Sequence, residues 1–131
     1  MPYSQTTDKI EIMVEPFFLE DRSSQEQSIY VWAYQVQIIN HGAENIQLIS
    51  RFWRITDGRG HVEEVEGEGV VGEQPIIKPK HIYQYASGCP LKTDSGIMSG
   101  HYVMVDANHK EFKVEIPAFS LDCPWDEKSI H

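Results

Sequence analysis

What this chain lacks narrows it before anything else does. No apolar run approaches the ~20 residues a bilayer-spanning helix needs, so no membrane span is expected. Basic residues are scarce: 11 Lys and Arg stand against 20 Asp and Glu, for a formal net charge of −9. Affinity for nucleic acid rests on phosphate contacts from a basic stripe, so nucleic acid is not an expected partner. Residues 1–5 carry no basic patch followed by an apolar stretch. A secretory leader is therefore not expected, and the chain is assigned to a cytoplasm.

Cysteine is nearly absent too. Cys89 and Cys123 form no C-x-x-C pair, which removes zinc-ribbon and thioredoxin readings. In a reducing compartment both are expected as free thiols, and the sequence leaves a disulfide between them open. Catalytic signatures are missing as well. Ser87-Gly88-Cys89-Pro90 and Ser95-Gly96 lack the G-x-S-x-G setting of a serine nucleophile. Nothing beside Cys89 in sequence would lower its pKa. With no nucleophile–base pair to name, no catalytic residue, cofactor or enzyme activity is assigned. His41, His61, His81, His101, His109 and His131 fall at no ligand spacing, so they read as structural or surface residues and no metal site is assigned.

What remains is patterned for strands. The chain has 131 residues, 40% of them hydrophobic, enough to bury the core of one ordinary domain. Residues 1–131 are read as that single domain, with a core of roughly residues 8–121 and fraying ends. Residues 9–15 alternate apolar and polar, the period of a half-buried strand, and Pro16 suggests an edge or first strand. In residues 29–39, Trp32, Tyr34, Val36 and Ile38 share one face, and a more polar set takes the other. Residues 46–56 form the next strand, and Asp57-Gly58 is a hairpin cue before the charged strand 61–66. Residues 81–86 alternate again, 87–99 read as a long irregular connection, and 102–105 with 112–116 predict a last hairpin. The tail from Leu121 is expected to fray. No helical period survives. About seven strands in two antiparallel sheets are expected: an all-β sandwich of immunoglobulin or fibronectin type III kind.

One motif stands out. Gly67, Gly69 and Gly72 spell G-x-G-x-x-G. A dinucleotide fold would need a helix after it, and Pro75 and Pro79 follow instead. A glycine-rich loop can also present free N–H groups to an anion. Gly67, Gly69, Val70, Val71 and Gly72 are thus candidate ligand residues for phosphate or pyrophosphate, with Arg51 and Arg54 as candidate cationic partners. Glu63, Glu64, Glu66, Glu68 and Glu73 crowd the stretch and work against an anion. The same carboxylates suit a divalent cation or, more simply, a solvated strand face.

Several ordered motifs together resemble the bacterial ApaG family: QLISRFWRITD at 47–57, GVVGEQP at 69–75, YQYASGCPL at 83–91, GIMSGHY at 96–102 and VEIPAF at 114–119. The resemblance implies a fibronectin type III-like sandwich without established catalysis. It also implies protein recognition, because related domains occur in F-box and DNA-polymerase-associated proteins. The family carries associations with cobalt and magnesium tolerance and with a neighbouring diadenosine tetraphosphatase, and its G-x-G-x-x-G stretch has been proposed to bind phosphate. Lys80 stands where the family usually has Gly, which implies a less sharp turn, and the tail after Asp122 looks long. The resulting expectation is a protein-interaction module of undefined partner, with a small-ligand or cation binder at loop 67–72 as the alternative. A homodimer through an edge strand is a further expected mode.

Overall fold

The computed structural model describes residues 2–125. Among them are nine strands and a single 3-10 turn, Glu20–Arg22. The strands are β1 (Tyr3–Thr7), β2 (Ile10–Phe18), β3 (Tyr30–Asn40), β4 (Ile46–Asp57), β5 (Val62–Glu68), β6 (Ile76–Ile77), β7 (Ile82–Leu91), β8 (Ser95–Val105) and β9 (Glu111–Asp122). One sheet runs β1-β2-β3-β7; the other runs β5-β4-β8-β9, with β6 also paired to β4. All pairings are antiparallel. The expected all-β sandwich of immunoglobulin-like kind is what forms.

Period-2 patterning places the core. Trp32, Tyr34, Val36 and Ile38 of β3 are all buried, facing Trp53, Tyr102, Met104 and Phe119 of the other sheet. Phe119 is 1% exposed and lies 5.9 Å from the Tyr3 ring, 6.1 Å from Tyr34 and 6.0 Å from Trp53. Each such side chain contributes on the order of 2–3 kcal/mol of burial. The buried polar Asn40 is satisfied: its Nδ2 donates to the carbonyls of Glu44 and Ile77, and its Oδ1 accepts the Gly42 amide. The Asp-Gly hairpin forms as read, with Asp57 Oδ1 accepting the amides of Arg59 and His61 at 2.9 Å each. Those bonds, His61 foremost, hold the Asp57 carboxyl below its usual range.

Several expectations need correction. Nine strands replace seven: β1 has the polar sequence YSQTT and gives no alternation signal, and β6 is only the two residues Ile76–Ile77. β1 covers residues 10–14 of β2, so β2 is internal there. Pro16 lies past the last β1 pair, Tyr3 with Val14, where a missing N–H costs no ladder bond on that side. Residues 87–99 are no irregular connection: β7 runs to Leu91 and β8 starts at Ser95. The tail does not fray at Leu121, which is fully buried in β9, and Trp125 packs edge-on to Phe18 at 5.1 Å. Its later residues, with Ile130 and His131, lie outside the described set. The Lys78–His81 turn is tight despite lacking Gly: His81 N–H reaches the Lys78 carbonyl at 3.0 Å, and Lys80 takes φ 64°.

Candidate binding site at the open side of the sandwich

The two long sides of the sandwich differ. On one, β1 packs against β9, with the Tyr3 and Ser120 hydroxyls 3.1 Å apart and the Glu115 amide donating to Thr7 Oγ1. On the other, β7 and β5 are the lateral strands of their sheets, and a groove lies between them.

A β-bulge shapes this groove. The β4–β8 register slips between Leu48 and Ser50, leaving Ile49 unpaired. A bulge reverses which residues face inward. Leu48 is buried ahead of it; beyond it Arg51 and Trp53 point into the sandwich. Arg51 Nη1 donates to the carbonyls of Glu68 at 3.1 Å and Gly69 at 2.9 Å. Its guanidinium lies over Gly67, where a Cβ would meet Nη1 and Nη2 at 2.9 Å. A cavity of about 170 Å³ opens beside it, walled by Val70 and Val71 of the β5–β6 loop and by Tyr34, Tyr85 and Ser87 of the other sheet. Burial pushes the Tyr34, Tyr85 and Tyr102 hydroxyls up, with the Arg51 charge opposing weakly, so all three are neutral donors at pH 7. Tyr85 and Tyr102 hydrogen-bond to each other.

The G-x-G-x-x-G stretch is a tight turn. Val70 and Glu73 exchange backbone hydrogen bonds at 2.8 and 2.9 Å, with Val71 at φ 48° and Gly72 at φ 79° between them. The Gly69 amide donates to the Ile49 carbonyl at the bulge, 2.8 Å. Gly69 itself sits at φ 63°, and a Cβ there would fall on the Glu73 carbonyl oxygen. Of the candidate loop residues, Gly69 therefore spends its amide on β4 and Val70 its amide inside the loop, and Val70 is fully buried. Val71 and Gly72 carry the amides with no internal acceptor. Val71 is 67% exposed.

The structure brings Arg51 to this loop but not Arg54. Arg54 points from the outer face of β4, where its Nη2 meets Glu64 Oε2 at 2.7 Å, both side chains about half exposed. Three residues apart on one strand, Arg51 and Arg54 fall on opposite faces by strand alternation alone; the bulge at Ile49 decides that Arg51 is the one turned inward.

Farther along the groove is a second cavity of about 410 Å³, walled by Ile55, Asp57, His61 and Glu63 on one side and Leu91 and Lys92 on the other. Cys89 lies nearby on β7, buried and free, as is the half-buried Cys123; no disulfide forms. Burial, with Glu63 adding, pushes the Cys89 thiol up to about 11. Among the described residues no three of His, Cys, Asp and Glu converge as metal ligands, and no helix is long and apolar enough to cross a membrane. His41 bonds Glu11 at 2.8 Å, and His101 stacks on Phe52.

The fold defines a class, the small immunoglobulin-like sandwich, and comparison with known proteins narrows it. The ApaG domain model matches residues 20–106. Protein ApaG of Brucella canis is 53% identical over 129 residues, covering 98% of this chain and 99% of that one; Protein ApaG of Mesorhizobium japonicum shows the same identity and coverage. The chain belongs to the ApaG family. The crystal structure of a putative ApaA protein from Bordetella pertussis superposes with TM-score 0.86 at 44% identity, covering 89% of this chain and 95% of that one. The C-terminal domain of wzt, at TM-score 0.54 and 7% identity, covers 95% of this chain and 79% of that one, a likeness of fold alone.

Proposed function

We propose that this chain is a non-catalytic, cytoplasmic protein-interaction module that receives another protein at the open side of its sandwich. The observation that supports this is Val71. A β-branched residue at positive φ is a genuine backbone outlier, and strain of this kind concentrates at functional positions. Val71 is also a large apolar side chain left 67% exposed, at the mouth of the groove. Neither cost serves the fold, since Asn or Gly would make the same turn more easily. An apolar anchor for a partner accounts for both.

A double readout tests it. Val71→Asn is expected to raise stability by about 1 kcal/mol while removing adducts formed by a photo-crosslinker placed at Gln84 in cells. Adducts that persist unchanged in the variant, or none at Gln84 in the wild type, defeat the reading.

A second reading places phosphate, pyrophosphate or a divalent cation at residues 67–72. Its support is the cavity beside Arg51 together with the two uncommitted amides of Val71 and Gly72. Titration with pyrophosphate, Mg²⁺ and Co²⁺ is then expected to move the amide signals of Val71 and Gly72; flat titrations remove it.

A further inference from the structure

We infer that the open side accepts an extended, basic peptide segment as an added strand on β7. This rests on the interaction-module reading and specifies its partner.

The phase of the β3–β7 ladder comes first. The Asn40 amide donates to the His81 carbonyl, in register with the pair Ile39–Ile82. Hydrogen-bonded pairs alternate in an antiparallel ladder. The bonded β7 residues are therefore Tyr83, Tyr85, Ser87 and Cys89. On the β2 side, the Val31 carbonyl accepts the Leu19 amide, so odd-numbered β3 residues face β2 and even-numbered ones face β7, as this phase requires. The N–H and C=O groups of Ile82, Gln84, Ala86 and Gly88 consequently point outward from the sheet, and no described residue pairs with them. Pro90 has no N–H and ends the row.

Composition comes second. Proteins blunt free edges with charge, bulges or proline. The other lateral strand, β5, does so: its sequence VEEVEGE carries four glutamates. β7, IYQYASGCPL, carries no charge in ten residues, and its β3 register is unbroken. One edge is protected against pairing, and the other is left receptive over four residues.

Charge decides the occupant. A strand added to β7 lies across the groove from β5. Its inward side chains meet Glu63 and Asp57 at one end of the groove and approach Glu73, which accepts the Tyr83 hydroxyl, at the other. Arg51, the cation nearest the loop, already has Nη1 on two carbonyls. Lys92 stands beyond Leu91, outside the receptive row. In a chain of net charge −9 the field at this edge favours lysine and arginine. Main-chain bonds would supply affinity and the groove-facing acids would supply the choice of partner, the division expected of strand addition.

The test uses the full chain and two synthetic decapeptides of alternating Thr/Val and Lys, or Thr/Val and Glu. On adding the Lys peptide, amide signals of Ile82, Gln84, Ala86 and Gly88 are expected to shift and gain protection from hydrogen exchange. Ala86→Pro, which removes an outward N–H and no β3–β7 ladder bond, is expected to weaken binding about five- to tenfold. The double variant Glu63→Gln and Glu73→Gln is expected to weaken it and to flatten its salt dependence. Equal binding of the Glu peptide, shifts mapping to β1 or β9, or a concentration-dependent dimer that occupies β7 with a second copy would each overturn the inference. Gln84 crosslinks in cells without Lys-peptide binding would leave the interaction module standing and remove the basic strand alone.

Discussion

The closed and open sides of this sandwich are built from the same kind of strand, yet they are finished differently. Where β1 meets β9, a ring pair, a hydroxyl pair and an amide–hydroxyl bond tie the sheets together. Where β7 faces β5, the Tyr83 hydroxyl donating to Glu73 at 2.9 Å is an exposed bond, and around it lie cavities, a strained valine and a free edge. A sandwich needs one well-packed interior to stand, and the closed side belongs to that interior. The open side is held by turn geometry and a bulge, which leaves its surface available for something else.

Substitutions can sharpen or break this contrast. Phe119→Ala removes a ring that joins Tyr3, Tyr34 and Trp53 across both sheets, and is expected to cost about 3–5 kcal/mol in denaturant melts. A cost near that of a surface change would mean that the interior does not depend on the closed side. Next in size is Gly69→Ala, expected to cost about 2–4 kcal/mol from left-handed strain plus collision with the Glu73 backbone. Gly72→Ala meets open space at φ 79° and is expected to cost only about 1 kcal/mol. Equal effects at the two glycines would show that torsion alone, and not the closeness of the Glu73 carbonyl, sets the loop.

Lys80 gives the opposite sign. It holds the positive-φ place after Pro79, as in a type II turn, where glycine fits best. Lys80→Gly is expected to raise stability by about 0.5–1 kcal/mol, because relief of backbone strain exceeds the entropy glycine adds to the unfolded chain. A loss on the same melts would mean that the lysine stem makes packing contacts worth more than the strain.

These cases also mark how far the sequence could be read. β3 and β4 were legible because half-buried strands alternate, and Asp57-Gly58 because few residues make that turn. β1 was not, since its polar sequence pairs by backbone alone. The end of β7 was missed because glycine, serine and proline on an edge strand imitate a loop. At the site, the glycine motif was visible, but its meaning lay in torsion angles at Val71 and Gly72. The pairing of Arg51 with the loop depended on the bulge at Ile49, which no residue type announces. What escaped was local geometry imposed by tertiary pairing, and the candidate site is made largely of it.

The smallest expected effect tests whether the acidic row of β5 belongs to the fold or only to its surface. Glu68 is exposed, makes no ion pair among the described residues, and meets Arg51 through its backbone carbonyl. Glu68→Gln keeps that carbonyl and nearly the same shape. It removes one negative charge from a chain already at −9, which slightly relieves repulsion. The change in stability is expected to stay within about 0.5 kcal/mol, in either direction. Melts at low and high salt provide the check: a surface charge loses its small effect as salt screens it. A cost well above this range that persists in high salt would mean that the carboxylate itself helps hold the loop and the Arg51 side chain. The open side would then be built by its acids as well as by its turns.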